Sequence, residues 1–412
     1  MFIYLLILVC LDISLSATSQ QCSISADHVD PLQQTMLAQS RLEMALDLLR
    51  SVASMNMANQ NIVLSPSSIF STFQVLYFAA SGDTEAILRK FLHLPNNLTK
   101  NAVFGIYTLE QTNSENNTNT HGYEFNVITG IYIQEDLRIK DCVKDMFSNE
   151  YSSVDFKGQF NSVAENINKW VHLLTRNMIT NILPTGYIDA LTRLLIVNAV
   201  YFKGLWKKAF PDSSTNKEEF HLTDGSKTTV EMMHISNESF RSIRSSIDEI
   251  GVQVLELPYE GDDVSMLILL PEELHESAIT KLLDSLTVKH LERILDQISK
   301  MTLKILDVII PKFKIEQTID LKPILETLGA EKLFENADLS NLLEEPESLN
   351  VLKAIHTAKI DVDEEDTTPT RVIFRVSIPI TPTEFRANHP FVYLIYNKAT
   401  RSLIISGIFS SP

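Results

Sequence analysis

The sequence predicts an α+β fold in which strands and short helices are interleaved along one chain, and three stretches carry that prediction. The run Leu194 to Phe202 is apolar on both faces, as a strand buried inside a large sheet must be. The run Ile69 to Phe78 is apolar nearly all round at helical spacing, so it forms a central, buried helix. Between Asn350 and Asn388 the chain first alternates like a strand, through Ala354, Ala358, Ile360 and Val362, and then meets the acidic block Asp363 to Asp366. A long, mostly uncharged stretch with Pro369, Pro379 and Pro382 follows, and the apolar runs FVYLIY and SLIISGIF after it flank a polar turn. Connections longer than about 12–15 residues are uncommon in compact domains and usually functional. A loop is therefore suspended between two pieces of buried sheet.

Length and composition bound the rest. A chain of 412 residues that is 44% hydrophobic can bury a sizeable core, and large mixed domains reach this length. The net charge of -17, from 35 basic and 52 acidic residues, disfavours nucleic acid and anionic lipid as partners. The apolar run FIYLLILVCL is too short to span a bilayer and is followed by the small residues Ser14, Ser16, Ala17 and Ser19, so residues 1–19 read as a signal peptide and residues 20–412 as one secreted domain. No Lys or Arg precedes that run, and a buried first helix is the alternative. No other stretch is apolar enough to cross a membrane. The sequons at Asn97, Asn116 and Asn237 fit an extracellular glycoprotein. Cys10 would leave with the signal, and Cys22 and Cys142 could then form one disulfide.

In chain order, Leu42, Ala45, Leu46 and Leu49 place an amphipathic helix over Leu32 to Val52. Ser65 caps the central helix, Pro66 takes its first position and Gly82 lies just past its end. Residues 96–126, rich in Asn and Thr, read as a polar surface element. FNVITGIYIQ reads as a strand. VAENINKWVHLLTRNMI reads as an amphipathic helix with Val163, Ile167, Trp170, Val171 and Leu174 on one face. Asn198 interrupts an otherwise apolar strand and must sit in a polar cluster, because a buried amide needs hydrogen-bond partners. Pro271 and Pro311 end strands, and Gly329 ends a helix that begins near Leu321.

Several of these stretches resemble the serpin family. KAIHTAKIDVDEED is similar to the strand and hinge before a serpin reactive-centre loop, FRANHPFVYLIYNKATRSLIISGIF to the segment after it, SPSSI to the start of the buried second helix, and LIVNAVYFKGLW to a buried serpin strand. The similarity runs in serpin order along nearly the whole mature chain. It implies a fold of three β-sheets with about eight or nine helices and an exposed reactive-centre loop at about 364–384. It also implies a shutter beneath the sheet at Ser65, Ser68, Asn198 and His356, and a breach at Trp206 where the loop would begin to insert. A cluster of core polar residues that merely satisfy one another would look the same in sequence, and the two readings are compatible. In some serpins a helix near residues 96–126 binds heparin through a basic face; only Lys100 and His121 could be positive there, so heparin is not expected.

Enzyme motifs are missing: there is no GxSxG, HExxH, P-loop, CxxC or strand-linked GxGxxG, so no catalysis, cofactor or metal is expected. The resemblance implies instead that the loop is bait for a protease, which cuts it and is carried along as the cut strand enters the main sheet. Glu364 and Thr367 match the family's hinge. Asp366 stands where Gly is usual, and Pro369 and Arg371 stand where small residues are usual. Proline lacks the ladder donor, and an unpaired buried guanidinium is costly, so both oppose insertion. Counting from the hinge points to Ile380-Thr381 as the reactive bond, and counting back from the following strand points to Pro379-Ile380; both suit an elastase-like or chymotrypsin-like pocket. Two functions follow: a secreted, monomeric inhibitor of an extracellular serine protease, or a non-inhibitory serpin acting as a binding or carrier protein.

Overall fold

Helix Pro66–Ala79 is buried nearly all round, with only Ser67 and Ser71 reaching toward solvent, and Phe70, Phe73, Leu76 and Phe78 on it are all buried. Its start is fixed as the sequence requires. The Ser65 side chain accepts from the Ser68 amide, and Pro66 fills the first turn where no amide hydrogen is needed. At the other end Ala80 caps the last carbonyls, and Gly82, at φ +54°, turns the chain into helix Gly82–Phe91. The computed structural model describes residues 25–27, 29–55, 60–116, 122–147, 150–345, 348–349, 352–364 and 383–412. The signal peptide predicted over 1–19 lies outside them.

Beside this helix lies a five-stranded sheet in the order Phe313–Asp320, Leu352–Val362, Leu194–Gly204, Tyr123–Gln134, Tyr151–Val154. Its middle pair is parallel, with Leu352 opposite Leu194, His356 opposite Asn198 and Asp361 opposite Lys203. The outer neighbours Phe313–Asp320 and Tyr123–Gln134 run antiparallel to that pair. The all-apolar run at Leu194 now has its physical reason, since both faces of the sheet are covered. Leu194 and Ile196 join the core formed with the Pro66–Ala79 helix, whereas Leu195, Val197 and Ala199 pack with Val163, Ile167 and Val171 of helix Phe156–Leu174. Alternation sends Asn198 to the first of these faces.

A nine-stranded sheet makes up most of the remainder. Its long strand Lys227–Ile247 has a register shift against Lys304–Pro311 between Ile235 and Glu238, with Asn237 at φ 56°. It pairs with Asn216–His221 before the shift, with Lys304–Pro311 on both sides of it as far as Phe240, and with Ile250–Pro258 from Arg241 on. The sheet is thus two halves joined by one bent strand, an αL-tolerant Asn supplying the bend. With the five-stranded sheet they give the expected three-sheet layout, alongside nine α-helices and one two-stranded ribbon among the described residues. Strands Phe391–Asn397 and Ser402–Phe409 form the anticipated closing hairpin.

Two local readings are corrected. Residues 96–126 are no plain surface element: helix Lys100–Asn116 buries Ala102, Val103, Phe104, Ile106 and Tyr107, and Phe104 packs edge-on against Phe78 at 5.2 Å. The Asn and Thr content hid an i, i+3, i+4 apolar stripe. On helix Phe156–Leu174 the buried face ends at Val171, and Leu174, in the last turn, is 50% exposed.

Candidate functional site: a polar seam in the five-stranded sheet

The parallel pair at the centre of the five-stranded sheet forms a seam, and polar residues gather beneath its midpoint. His356 and Asn198 face each other with Nδ1 and Oδ1 2.7 Å apart, both fully buried. The Ser65 amide, held at the helix cap, donates to His356 Nε2 at 3.1 Å. With Nε2 accepting, the proton sits on Nδ1 and is donated to Asn198 Oδ1. Burial pushes the imidazole pKa down to about 3, so the ring is neutral at physiological pH. The Asn198 amide nitrogen donates to the hydroxyls of Thr72 and Thr129, each at 3.1 Å, and the Ser68 hydroxyl lies 2.8 Å from Oδ1. Ser65 Oγ donates to the Ile404 carbonyl at 2.7 Å. The cluster therefore ties helix Pro66–Ala79, both seam strands and the closing hairpin together.

A second group lies at the end of the seam, where the ladder stops. Trp206 is 5% exposed and stacks on Tyr259 at 4.6 Å and 13°, and its indole N–H donates to the Asp363 carbonyl at 2.7 Å. The Asp363 carboxylate pairs with Lys203 at 3.0 Å. Glu364 is 7% exposed; Lys312 Nζ lies 2.5 Å from one carboxylate oxygen, and the Thr215 hydroxyl donates to the other at 2.6 Å. Burial raises the Glu364 pKa, but the Lys312 and Thr215 hydrogen bonds, a backbone hydrogen bond and the Lys312 charge together leave the group below the usual carboxylate value. Past Glu364 the chain next enters the described structure as strand Thr383–Arg386, which pairs with Lys304–Pro311 in the nine-stranded sheet. Arg386 grips Glu218 at 2.5 Å and Glu384 at 2.9 Å there. The described chain on either side of residues 365–382 is thus anchored to different sheets.

The sequence-predicted residues fall into three sets. Ser65, Ser68, Asn198 and His356 meet in one cluster, with Trp206 and Glu364 together at the end of the same seam. Asp366, Thr367, Pro369, Arg371, Pro379, Ile380 and Thr381 lie outside the described residues. Among the sequons, Asn97 and Asn237 are exposed, and Asn116 closes its helix with a side chain outside the described set. Cys142 is disulfide-bonded, and Cys22 lies outside the described residues. Lys100 points inward to the Ala80 carbonyl at 2.6 Å and to Glu85 at 2.9 Å. Thr72, Thr129, Lys203, Thr215 and Lys312 were missed. For Thr72 a signal existed, since it lies one helical turn from Ser68. The others meet the site only through the fold.

The model of the family described as "Serpin (serine protease inhibitor)" matches residues 39–412. The chain is 29% identical to Serine protease inhibitor 88Ea of Drosophila melanogaster, over 95% of this chain and 94% of that protein. It is 32% identical to Leukocyte elastase inhibitor of Bos taurus, over 91% and 99% respectively. Among solved structures, maspin aligns with a TM-score of 0.79 at 27% identity, covering 92% of this chain and 100% of that one. Native protease nexin-1 with heparin aligns with a TM-score of 0.78 at 29% identity, covering 92% and 100%. These matches correct the ground on which enzyme chemistry was set aside: missing motifs do not decide that question, and what bears on it is a family described by the serine proteases it inhibits. A match over this length, on a fold whose central sheet carries the Asn198–His356 seam, shows that the chain belongs to the serpin family.

Proposed function

We propose that this protein is a secreted inhibitor of an extracellular serine protease, working as a single domain over 20–412 after removal of residues 1–19. It would present about 364–384 as bait. The observation that carries this is the closed seam: strands Leu352–Val362 and Leu194–Gly204 pair directly, while the chain leaves one end of that seam at Glu364 and is picked up in another sheet at Thr383. A strand cut free near Ile380 could enter between them, and an acylated protease would travel with it. Ile380-Thr381 or Pro379-Ile380 as the reactive bond suits an elastase-like or chymotrypsin-like enzyme, and one relative carries the name Leukocyte elastase inhibitor. The inward-facing Lys100 supports heparin-independent action. Incubation of the purified protein with elastase-, chymotrypsin- and trypsin-like proteases tests the reading. An SDS-stable complex is expected, and simple cleavage without complex removes it.

A second reading, a non-inhibitory binding or carrier serpin, rests on Pro369 and Arg371. If Thr367 faces inward on insertion, period-two alternation sends both inward as well, where a missing amide donor and a guanidinium oppose entry. The same incubation separates the two.

A further inference from the structure

Helix Lys100–Asn116 is enclosed on every side near its start. Ala102, Val103, Phe104, Gly105, Ile106 and Tyr107 are consecutive and all buried, and at 3.6 residues per turn they point all the way round the axis. The core accounts for part of this. Phe104 packs against Phe78 and Phe147 at 5.2 and 6.0 Å, and Tyr107 against the same two rings at 5.6 and 5.8 Å. The Gly105 side is covered instead by the amino-terminal segment, of which residues 25–27 and 29–30 are described. The Asp27 amide lies 3.5 Å from the Asn101 carbonyl, one turn before Gly105. A methyl group on Gly105 would stand 2.6 Å from the Asp27 carbonyl oxygen and 3.3 Å from both the Asp27 nitrogen and a Val29 methyl. Backbone crosses backbone there, and only glycine leaves room for it. Val29 packs on the same core as Cys142, which lies on the short helix Asp141–Met146 and is disulfide-bonded. Of the other two cysteines, Cys10 lies in the apolar leader run and Cys22 stands just before the segment that crosses Gly105.

We infer that the amino-terminal segment is a covalently closed strap: Cys22 is the partner of Cys142, and the stretch from Cys22 to Pro31 holds helix Lys100–Asn116 down at Gly105. Such a bond closes a long loop, where a cross-link restricts the unfolded chain most. Its formation joins two thiol sulfurs and passes two electrons and two protons to a disulfide-bearing oxidant, which leaves as two thiols. The proposed function supplies only the oxidising compartment in which that happens. A dithiol reductant reverses the step, so the redox state decides whether the helix is held or released.

A non-reducing peptide map of the purified protein reads the bond. Cys22 linked to Cys142 is expected; two free thiols, or Cys142 linked elsewhere, overturn the strap. Gly105→Ala reads the contact, through hydrogen exchange of the amides over 102–108. On an uncovered helix, alanine in place of glycine slows exchange by about fivefold. Beneath the strap the added methyl meets the Asp27 backbone, so with the disulfide intact Gly105→Ala should speed exchange, by about fivefold or more. Cys22→Ser combined with Cys142→Ser should speed the same amides by at least about tenfold, and more than those over 391–397. In that background Gly105→Ala should slow them. The strap is overturned if Gly105→Ala slows exchange with the disulfide intact, if it still speeds exchange without it, or if the serine pair raises exchange equally over 391–397. Amino-terminal sequencing of the same sample separates this from the secreted reading: a retained leader overturns secretion and leaves a Cys22–Cys142 link standing. Failure to trap a protease likewise overturns only the inhibitor reading.

Discussion

His356 Nδ1 donates to Asn198 Oδ1 at 2.7 Å across the one parallel junction at the centre of the five-stranded sheet, and neither residue is exposed. Two seam strands 158 residues apart in the sequence are thereby pinned at one register. The Ser65 amide on Nε2 fixes the tautomer.

A neutral buried imidazole makes stability depend on pH with a definite sign. The folded pKa is about 3 against an ordinary 6.5. Below 6.5 the unfolded chain takes up a proton that the folded chain refuses, so each pH unit from about 6.5 down toward 3 costs roughly 1.4 kcal/mol, and above about 7 this contribution is constant. Thermal melts from pH 4 to 8 should show wild type losing Tm on acidification more steeply than His356→Gln. Parallel slopes would contradict the assignment.

Removing the amide should hurt more than removing one hydrogen bond. Asn198→Ala strands the His356 Nδ1–H and takes one hydrogen-bond partner from each of the Ser68, Thr72 and Thr129 hydroxyls, all beneath the sheet. A loss of about 2–4 kcal/mol in urea denaturation is expected. A loss under about 1 kcal/mol would mean the cluster reorganises at little cost.

How far could this site be read from sequence? Asn198 announced itself, since an amide inside an apolar strand has to be satisfied, and Ser65-Pro66 announced a helix start. The helix in residues 100–116 was hidden because its buried face is spaced through Asn and Thr, which composition reads as surface. The ion pairs Lys203–Asp363 and Lys312–Glu364 join residues far apart in the chain. Charge pairs carry no periodicity, and only strand order brings those lysines to the seam.

Strand Lys227–Ile247 turns into Ile250–Pro258 through Asp248 and Glu249, at φ 45° and 72°. Such two-residue turns favour Asn or Asp followed by Gly. Glu249→Gly should therefore stabilise by roughly 0.5–1 kcal/mol, seen as a raised Tm with activity unchanged. No gain would mean that Glu249 makes compensating contacts.

The hinge residues allow a sharper test of insertion. Replacing Pro369 and Arg371 together with Ala restores a ladder donor and removes a guanidinium from the face that would turn inward on insertion if Thr367 does. In stoichiometric titration against a trapped protease, fewer inhibitor molecules should be consumed per enzyme inactivated. An unchanged ratio would show that neither residue slows entry.

Inhibition by this chain requires that the central sheet take up the stretch between Glu364 and Thr383 as a strand. Thermal melting of the intact protein beside the same protein nicked near Ile380 reads this directly. A nicked form that melts at a clearly higher temperature than the intact one is the predicted result; equal or lower melting would mean that the seam between His356 and Asn198 stays shut and the loop is only a tether.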